Sequence, residues 1–345
     1  MKIVLLSYAF SPGVGGIETV SQLLVEGLRA RGHEVIIVTH TLALTNGDET
    51  VEASILRQPS SSKLIAAFRW SDAVIQSNVS IGLAWPLMLG LIQRPWVVVN
   101  HTPISRPSGE RTWRDHLKLA SLARARVYAV SEYLRTVTLK KSRIMRNPYD
   151  TTSFFKAHSS EAVNRDCELL FVGRIVRAKG LDILIEALHL LKQRGKRFRL
   201  SIAGNGDERA TLEARVVELG LSDQVEWLGV LKGKQLGDAM RRHLVVVVPS
   251  RPEPPEALPL VPIESIACGC LVIASRQGGL PESVGPCGLL VEPENPAVLG
   301  DAILELFASA AMQRRFLDAA SDHLKPFHPS AVIDDYEAAI REAAH

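Results

Sequence analysis

Two series of short, nearly unbroken apolar runs, one from residue 2 and another from about residue 168, leave this chain few folds to adopt. The first run, Lys2 to Tyr8 (KIVLLSY), does not alternate apolar with polar residues. A strand reads that way when it lies inside a parallel sheet with helices covering both faces. A glycine-containing loop follows, then a helix with Val20, Leu23, Leu24, Gly27 and Leu28 on one face, stopped by Gly32. Glu34–Thr39, Ala73–Gln76, Trp96–Asn100 and Val127–Val130 continue the strands. The second series reads Glu168–Val172, Leu200–Ala203, Val225–Leu228, Leu244–Val248, Leu271–Ala274 and Leu289–Val291. Helical periodicity separates the runs, which implies parallel βαβ units. The expected fold class is α/β, with two Rossmann-like, doubly wound parallel-sheet domains at 1–150 and 151–328, joined near Asn147 to Phe155. The last helix, roughly Ala331 to Ala344, has no strand after it. Residues 329–345 are therefore expected to cross back onto the first domain.

At 345 residues each half is long enough for its own core, and a 46% apolar share with mixed charge argues against disorder. No cation-flanked apolar leader opens the sequence, and the longest uncharged stretch, Ala73 to Gln93, is too polar and too interrupted for a membrane span. A cytoplasmic location is the expectation. Four cysteines do not make a disulfide scaffold, and Cys268 and Cys270 lack a second ligand pair, so buried small residues are expected there.

Charge is unevenly spread. Between Arg106 and Arg146 there are eleven Lys or Arg against three acids, a local net of +8 in a chain of net +3. Two readings stay open: a solvated helical face, or a patch for anionic lipid headgroups or an anionic acceptor. Trp113 and Leu117, one helical turn apart beside Arg114 and Lys118, suit a peripheral contact with an anionic membrane surface. Nucleic acid is the least favoured partner, because no binding motif or aromatic platform accompanies the charge.

The chemistry concentrates in the second half. In Phe171-Val-Gly173-Arg174-Ile-Val-Arg-Ala-Lys179-Gly180 a strand ends, a cation follows, and a second cation precedes a helix. Both charges then sit at the carboxyl edge of the sheet, beside a helix N-terminus that itself favours anions. Eighty residues on, Glu256 and Glu264 stand eight positions apart, the first in the loop after a strand and the second on a helix starting near Pro262. Glu253 lacks a partner at that spacing, since position 261 is valine. In the first half, Gly15 and Gly16 could let the backbone approach a phosphate, or could simply make the strand-to-helix turn. A nicotinamide site is disfavoured: the glycine that GxGxxG needs at position 18 is Glu18, and the second strand ends Val38-Thr39-His40 without an acid.

Taken together, GRxxxxKG at 173–180, Gly204-Asn-Gly206, Glu256 with Glu264, and Gly278-Gly279-Leu-Pro-Glu282 resemble the retaining GT-B glycosyltransferases of the glycosyltransferase-4 type. Pro12-Gly-Val-Gly15-Gly16-Ile-Glu18, Arg31-Gly-His-Glu-Val35 and Asn147-Pro-Tyr-Asp150 with Phe154 resemble that family's first loop, second strand and interdomain linker. The likeness covers nearly the whole chain. It implies two domains facing across a cleft and transfer of a hexose from a nucleoside diphosphate sugar, uridine-linked first and guanosine-linked next, to a glycan or lipid-linked acceptor.

By the resemblance, Arg174 and Lys179 would neutralise the donor's diphosphate, Glu264 would hold the ribose hydroxyls, Glu256 would face the sugar hydroxyls, and His101 would face the donor sugar. The other nine histidines show no ligand spacing. Family members often carry glycines where this chain has Ala257 and Pro259. Proline has no N–H, so donation to a ligand oxygen falls to Leu258, Leu260 or Val261. No Asp-x-Asp occurs, so no metal and no other cofactor is expected. A non-catalytic nucleotide-sugar binder and a sugar-nucleotide epimerase of the same fold are the alternatives.

Overall fold

The computed structural model describes residues 1–11, 15–42, 54–104, 112–138, 140–156, 165 and 167–344. They fall into two compact units, Met1–Pro148 with Pro326–His345, and Tyr149–Lys325.

The first unit is built on a seven-stranded sheet, all of whose pairings are parallel, in the order β3-β2-β1-β4-β5-β6-β7. Its strands are β1 (Lys2–Ser7), β2 (Glu34–Thr39), β3 (Ile55–Arg57), β4 (Ala73–Ser77), β5 (Trp96–Asn100), β6 (Arg126–Ala129) and β7 (Arg143–Ile144). Ile3, Val4, Leu5 and Leu6 of β1 are all fully buried, which accounts for its apolar run. The helices are α1 (Gly16–Ala30), α2 (Ser61–Trp70), α3 (Ile81–Met88), α4 (Trp113–Ser121) and α5 (Glu132–Thr138). The short edge strands β3 and β7 were not anticipated; three and two residues are too few to show a period.

The second unit repeats the plan with six strands: β8 (Cys167–Val172), β9 (Leu200–Ala203), β10 (Val225–Gly229), β11 (His243–Val248), β12 (Leu271–Ser275) and β13 (Gly288–Val291). Their order, β10-β9-β8-β11-β12-β13, is again parallel throughout. The chain runs outward from β8 and then returns to the other side of it. The helices are α6 (Leu181–Gln193), α7 (Arg209–Glu218), α8 (Gly233–Arg242), α9 (Leu260–Ala267), α10 (Leu280–Val284), α11 (Pro296–Ala308) and α12 (Ala310–Leu324). One cluster unites α6, α11 and the inner strands, with Leu184, Leu191, Val245, Ile273 and Ile303 fully buried.

The last helix, α13 (Pro329–Ala343), is part of the first unit. It packs on α1, where a side chain at Gly27 would lie 2.7 Å from Ile333 Cγ1; only a glycine admits that approach. Arg31 with Asp334 (2.8 Å) and His33 with Glu337 (2.9 Å) fix its register. The unit boundaries thus lie at 148/149 and 325/326, close to the 150/151 and 328/329 read from the sequence. Among the described residues, no helix is long and apolar enough to cross a membrane. Cys268 and Cys270 are buried, and burial pushes the Cys268 thiol up to about 12, which leaves it protonated and inert.

Candidate active site

In an open parallel sheet, ligands bind beyond the carboxyl ends of the strands where the winding changes direction. In the second unit that point lies between β8 and β11, and the loops after these two strands carry the cations and the first carboxylate. Gly173 closes β8, with its N–H donating to Ala203 O at 3.0 Å. Arg174 follows, exposed, and its guanidinium has no partner among the described residues. A 3-10 turn, Arg177–Lys179, leads to Gly180. There φ is +68°, and a Cβ would stand 2.0 Å from Pro249 O, so the turn lies directly on the backbone that leaves β11.

Lys179 is brought to Glu256: Nζ lies 2.5 Å from Oε1. The same oxygen accepts from Ser250 Oγ at 2.9 Å. The Glu256 N–H donates to Gln277 Oε1 at 3.2 Å, and its carbonyl accepts from the Gly279 N–H at 2.7 Å. Three strand-to-helix loops, after β8, β11 and β12, therefore converge on one ion pair. The side chains of Lys179 and Glu256 keep 26% and 18% of their surface open, so a ligand can reach both. The sequence reading left Lys179 free for an anion; the structure instead pairs it, while Arg174 has no partner among the described residues. Lys179 has three donor positions, and one contact to Glu256 leaves two for an incoming phosphate.

Helix α9 begins at Leu260, two residues before the expected start near Pro262. Pro259 stands at the N-cap position without a side-chain cap, and Pro262 is accommodated within the first turn. The first-turn N–H groups of Leu260 and Val261 have no carbonyl within the helix to accept them. Leu258 is buried. Glu264 sits one turn along and is buried; burial first, and then the Asp150 carboxylate, push its pKa up to about 8. It therefore carries a proton at neutral pH. The side chain that the resemblance assigns to the ribose hydroxyls is thus the neutral acid in the ligand-free protein.

The remaining candidates belong to the first unit. Gly15 is the N-cap of α1 in extended backbone, and Gly16 is its first residue. Pro12, Gly13 and Val14 of the same loop lie outside the described residues, as do Arg106, Glu110 and Arg111 of the basic segment. His101 follows β5 and is buried, with Nε2 unpartnered. Burial lowers its pKa to about 4, against a weaker upward pull from the Asn147 side chain, whose Oδ1 also lacks a partner within hydrogen-bond geometry. A neutral imidazole suits a hydroxyl and not a phosphate charge. Asn78 holds the loop in place: its Oδ1 accepts from the backbone N–H of His101 (2.7 Å) and Thr102 (3.1 Å). Sequence reasoning missed Asn78, Ser250 and Gln277. Ser250 could have been found from its place directly beyond a strand at the carboxyl edge; Asn78 and Gln277 act across loops that no spacing joins.

Comparison with known proteins bears on the family and the fold. Residues 154–323 match the model of glycosyl transferases group 1, and residues 14–151 match that of glycosyltransferase family 4. An uncharacterized glycosyltransferase of Methanocaldococcus jannaschii is 36% identical over 160 residues, which are 46% of this chain and 43% of that one. The D-inositol 3-phosphate glycosyltransferase of Acidothermus cellulolyticus is 32% identical over 218 residues, 58% of this chain and 48% of its own length. The matched stretches thus span somewhat less than half of these relatives. In fold, the chain resembles Anabaena HepE crystallised in complex with UDP, with a TM-score of 0.79 at 19% identity over 99% of this chain and 100% of that one. HepE has also been crystallised with UDP-glucose. The two-sheet α/β architecture is that of GT-B proteins.

Proposed function

The chain belongs to the glycosyl transferases group 1 family, and from that premise we propose that it moves a hexose from a nucleoside diphosphate sugar to an acceptor hydroxyl with retention of configuration. The observation that carries this reading is the Ser250–Glu256–Lys179 cluster at the switch point of the second sheet, with the exposed Arg174 in the same loop as Lys179. A departing nucleoside diphosphate gains negative charge as the glycosidic bond breaks. Cations fixed at its oxygens therefore stabilise the transition state more than the ground state. Arg174 forks two oxygens, Lys179 adds a point charge, and the N–H groups of Leu260 and Val261 add fixed dipoles. Glu264 takes the ribose hydroxyls, and Glu256 orients Lys179 while facing the sugar.

No protein nucleophile is needed on a front-face route. The acceptor oxygen bonds to the anomeric carbon as the bond to the diphosphate breaks, and the leaving phosphate oxygen takes the acceptor proton. In this reading the charge is met without a divalent ion. UDP is the favoured nucleotide and GDP the next; the UDP and UDP-glucose complexes of HepE support that order.

Incubation with a panel of UDP- and GDP-hexoses, with detection of released nucleoside diphosphate, tests the reading; release from at least one donor is expected. Binding of UDP without release from any donor would make the chain a non-catalytic subunit. An altered sugar nucleotide with no acceptor present would make it an epimerase.

A specific observation bears on the acceptor. Trp113 and Leu117 on α4 are 70% and 43% exposed, one turn apart on a basic segment. A lipid-linked glycan precursor at the cytoplasmic face of an anionic membrane fits that surface. Vesicles containing anionic lipid should then float the protein while neutral vesicles leave it behind. Equal behaviour with both would remove the membrane from the proposal.

A further inference from the structure

Arg251, three residues beyond the end of β11, has no place in the donor chemistry, yet its side chain is only 12% exposed and makes four hydrogen bonds. Nη1 donates to Arg177 O and to Asp182 Oδ1, both at 2.8 Å. Nη2 donates to Asp182 Oδ2 at 2.7 Å, and Nε to Glu294 Oε1 at 3.0 Å. Its backbone N–H donates to Ala178 O at 2.9 Å. Arg177 and Ala178 lead into Lys179, while Asp182 lies in the first turn of α6, just after it. One residue therefore grips the chain on both sides of Lys179, at the point where Gly180 already lies against Pro249. A planar guanidinium can span a carbonyl and a carboxylate at once, whereas an ammonium cannot do so in fixed geometry. The next residue back, Ser250, reaches the other half of the pair through Glu256.

We infer that Arg251 is a positioning residue that fixes the Arg177–Asp182 turn so that Lys179 meets the donor's diphosphate with its ammonium already aimed. The inference rests on Lys179 being the diphosphate ligand, and it extends that reading to a side chain that never touches the donor. A preset cation costs less on binding and is worth more in the transition state than one that must first be ordered.

A double-mutant cycle read by UDP affinity, measured calorimetrically, tests the inference and needs no acceptor. K179A should weaken UDP binding roughly 10-fold and R251A roughly 3- to 10-fold, while the double variant should bind like K179A alone, because the positioned group is already gone. Losses that multiply in the double variant, or an R251A that binds UDP like the parent, would overturn the positioning role. A K179A that binds UDP like the parent would instead defeat the site reading, and this inference with it. Should R251A fail to fold, R251K takes its place in the same cycle; it keeps the charge but not the fork, and an intermediate loss that vanishes in the K179A background is expected.

Discussion

Lys179→Ala should lower kcat/KM for the donor by roughly 100- to 1,000-fold, the scale set by removing one preorganised charge stabiliser. Most of the loss should appear in kcat, because the diphosphate gains its charge as the bond breaks and not on binding. The fold should survive, since Glu256 retains Ser250 Oγ and both of its backbone contacts. Arg174→Ala should behave alike and disturb the ligand-free protein less, as its side chain is exposed and its guanidinium leaves no partner behind among the described residues. Nucleoside diphosphate release, read beside the thermal transition, separates lost chemistry from lost structure. A folded K179A with parental activity would remove Lys179 from the site.

A second large effect concerns pH. The Glu264 carboxyl holds its proton up to about pH 8 in the folded chain, against an ordinary value of 4.5. Between those values the folded state binds a proton that the unfolded chain has released, so this contribution to stability is greatest at the acid end and fades as pH rises through 8. Glu264→Gln mimics the protonated acid and cannot titrate. The variant should therefore keep its melting temperature where the parent loses roughly 3–5 °C between pH 5 and pH 8.5. A diol that accepts one hydroxyl contact and donates another can be held by the neutral acid, whereas holding two donating hydroxyls requires the anion. UDP binding at pH 7 should release close to one proton if the ribose is held in the second way, seen as a dependence of the binding heat on buffer ionisation. Parallel melting curves for parent and variant would show that Glu264 is ionised in the free protein.

Much of the architecture could be read from the residues alone. Strands such as β1 and β8 are buried on both faces, and a run of Ile, Val and Leu in a sequence records that directly. The carboxyl-edge placement of Arg174, Lys179 and Glu256 followed from strand ends and glycines. What could not be read depends on distance along the chain. The Lys179–Glu256 contact joins loops 77 residues apart, and the Arg251 grip on Arg177 spans 74, so neither leaves a local pattern. The protonation of Glu264 depends on the depth of α9 and on Asp150, far behind it in sequence. The start of α9 was misplaced because Pro259 serves as its N-cap, a place where serine, threonine or aspartate is the usual signal.

Helix α13 has a bearing on biosynthesis. It contributes Val332, Ile333, Tyr336 and Ile340 to the interior of the first unit, although more than three hundred residues separate it from β1. As the polypeptide leaves the ribosome, the earlier-made sheet must wait with its α1 surface uncovered, while the later-made one has every element it requires. The second unit can therefore reach its native state first, reversing the order of translation. The uncovered groove along Gly27 is then the surface that a chaperone would have to shield in the interval.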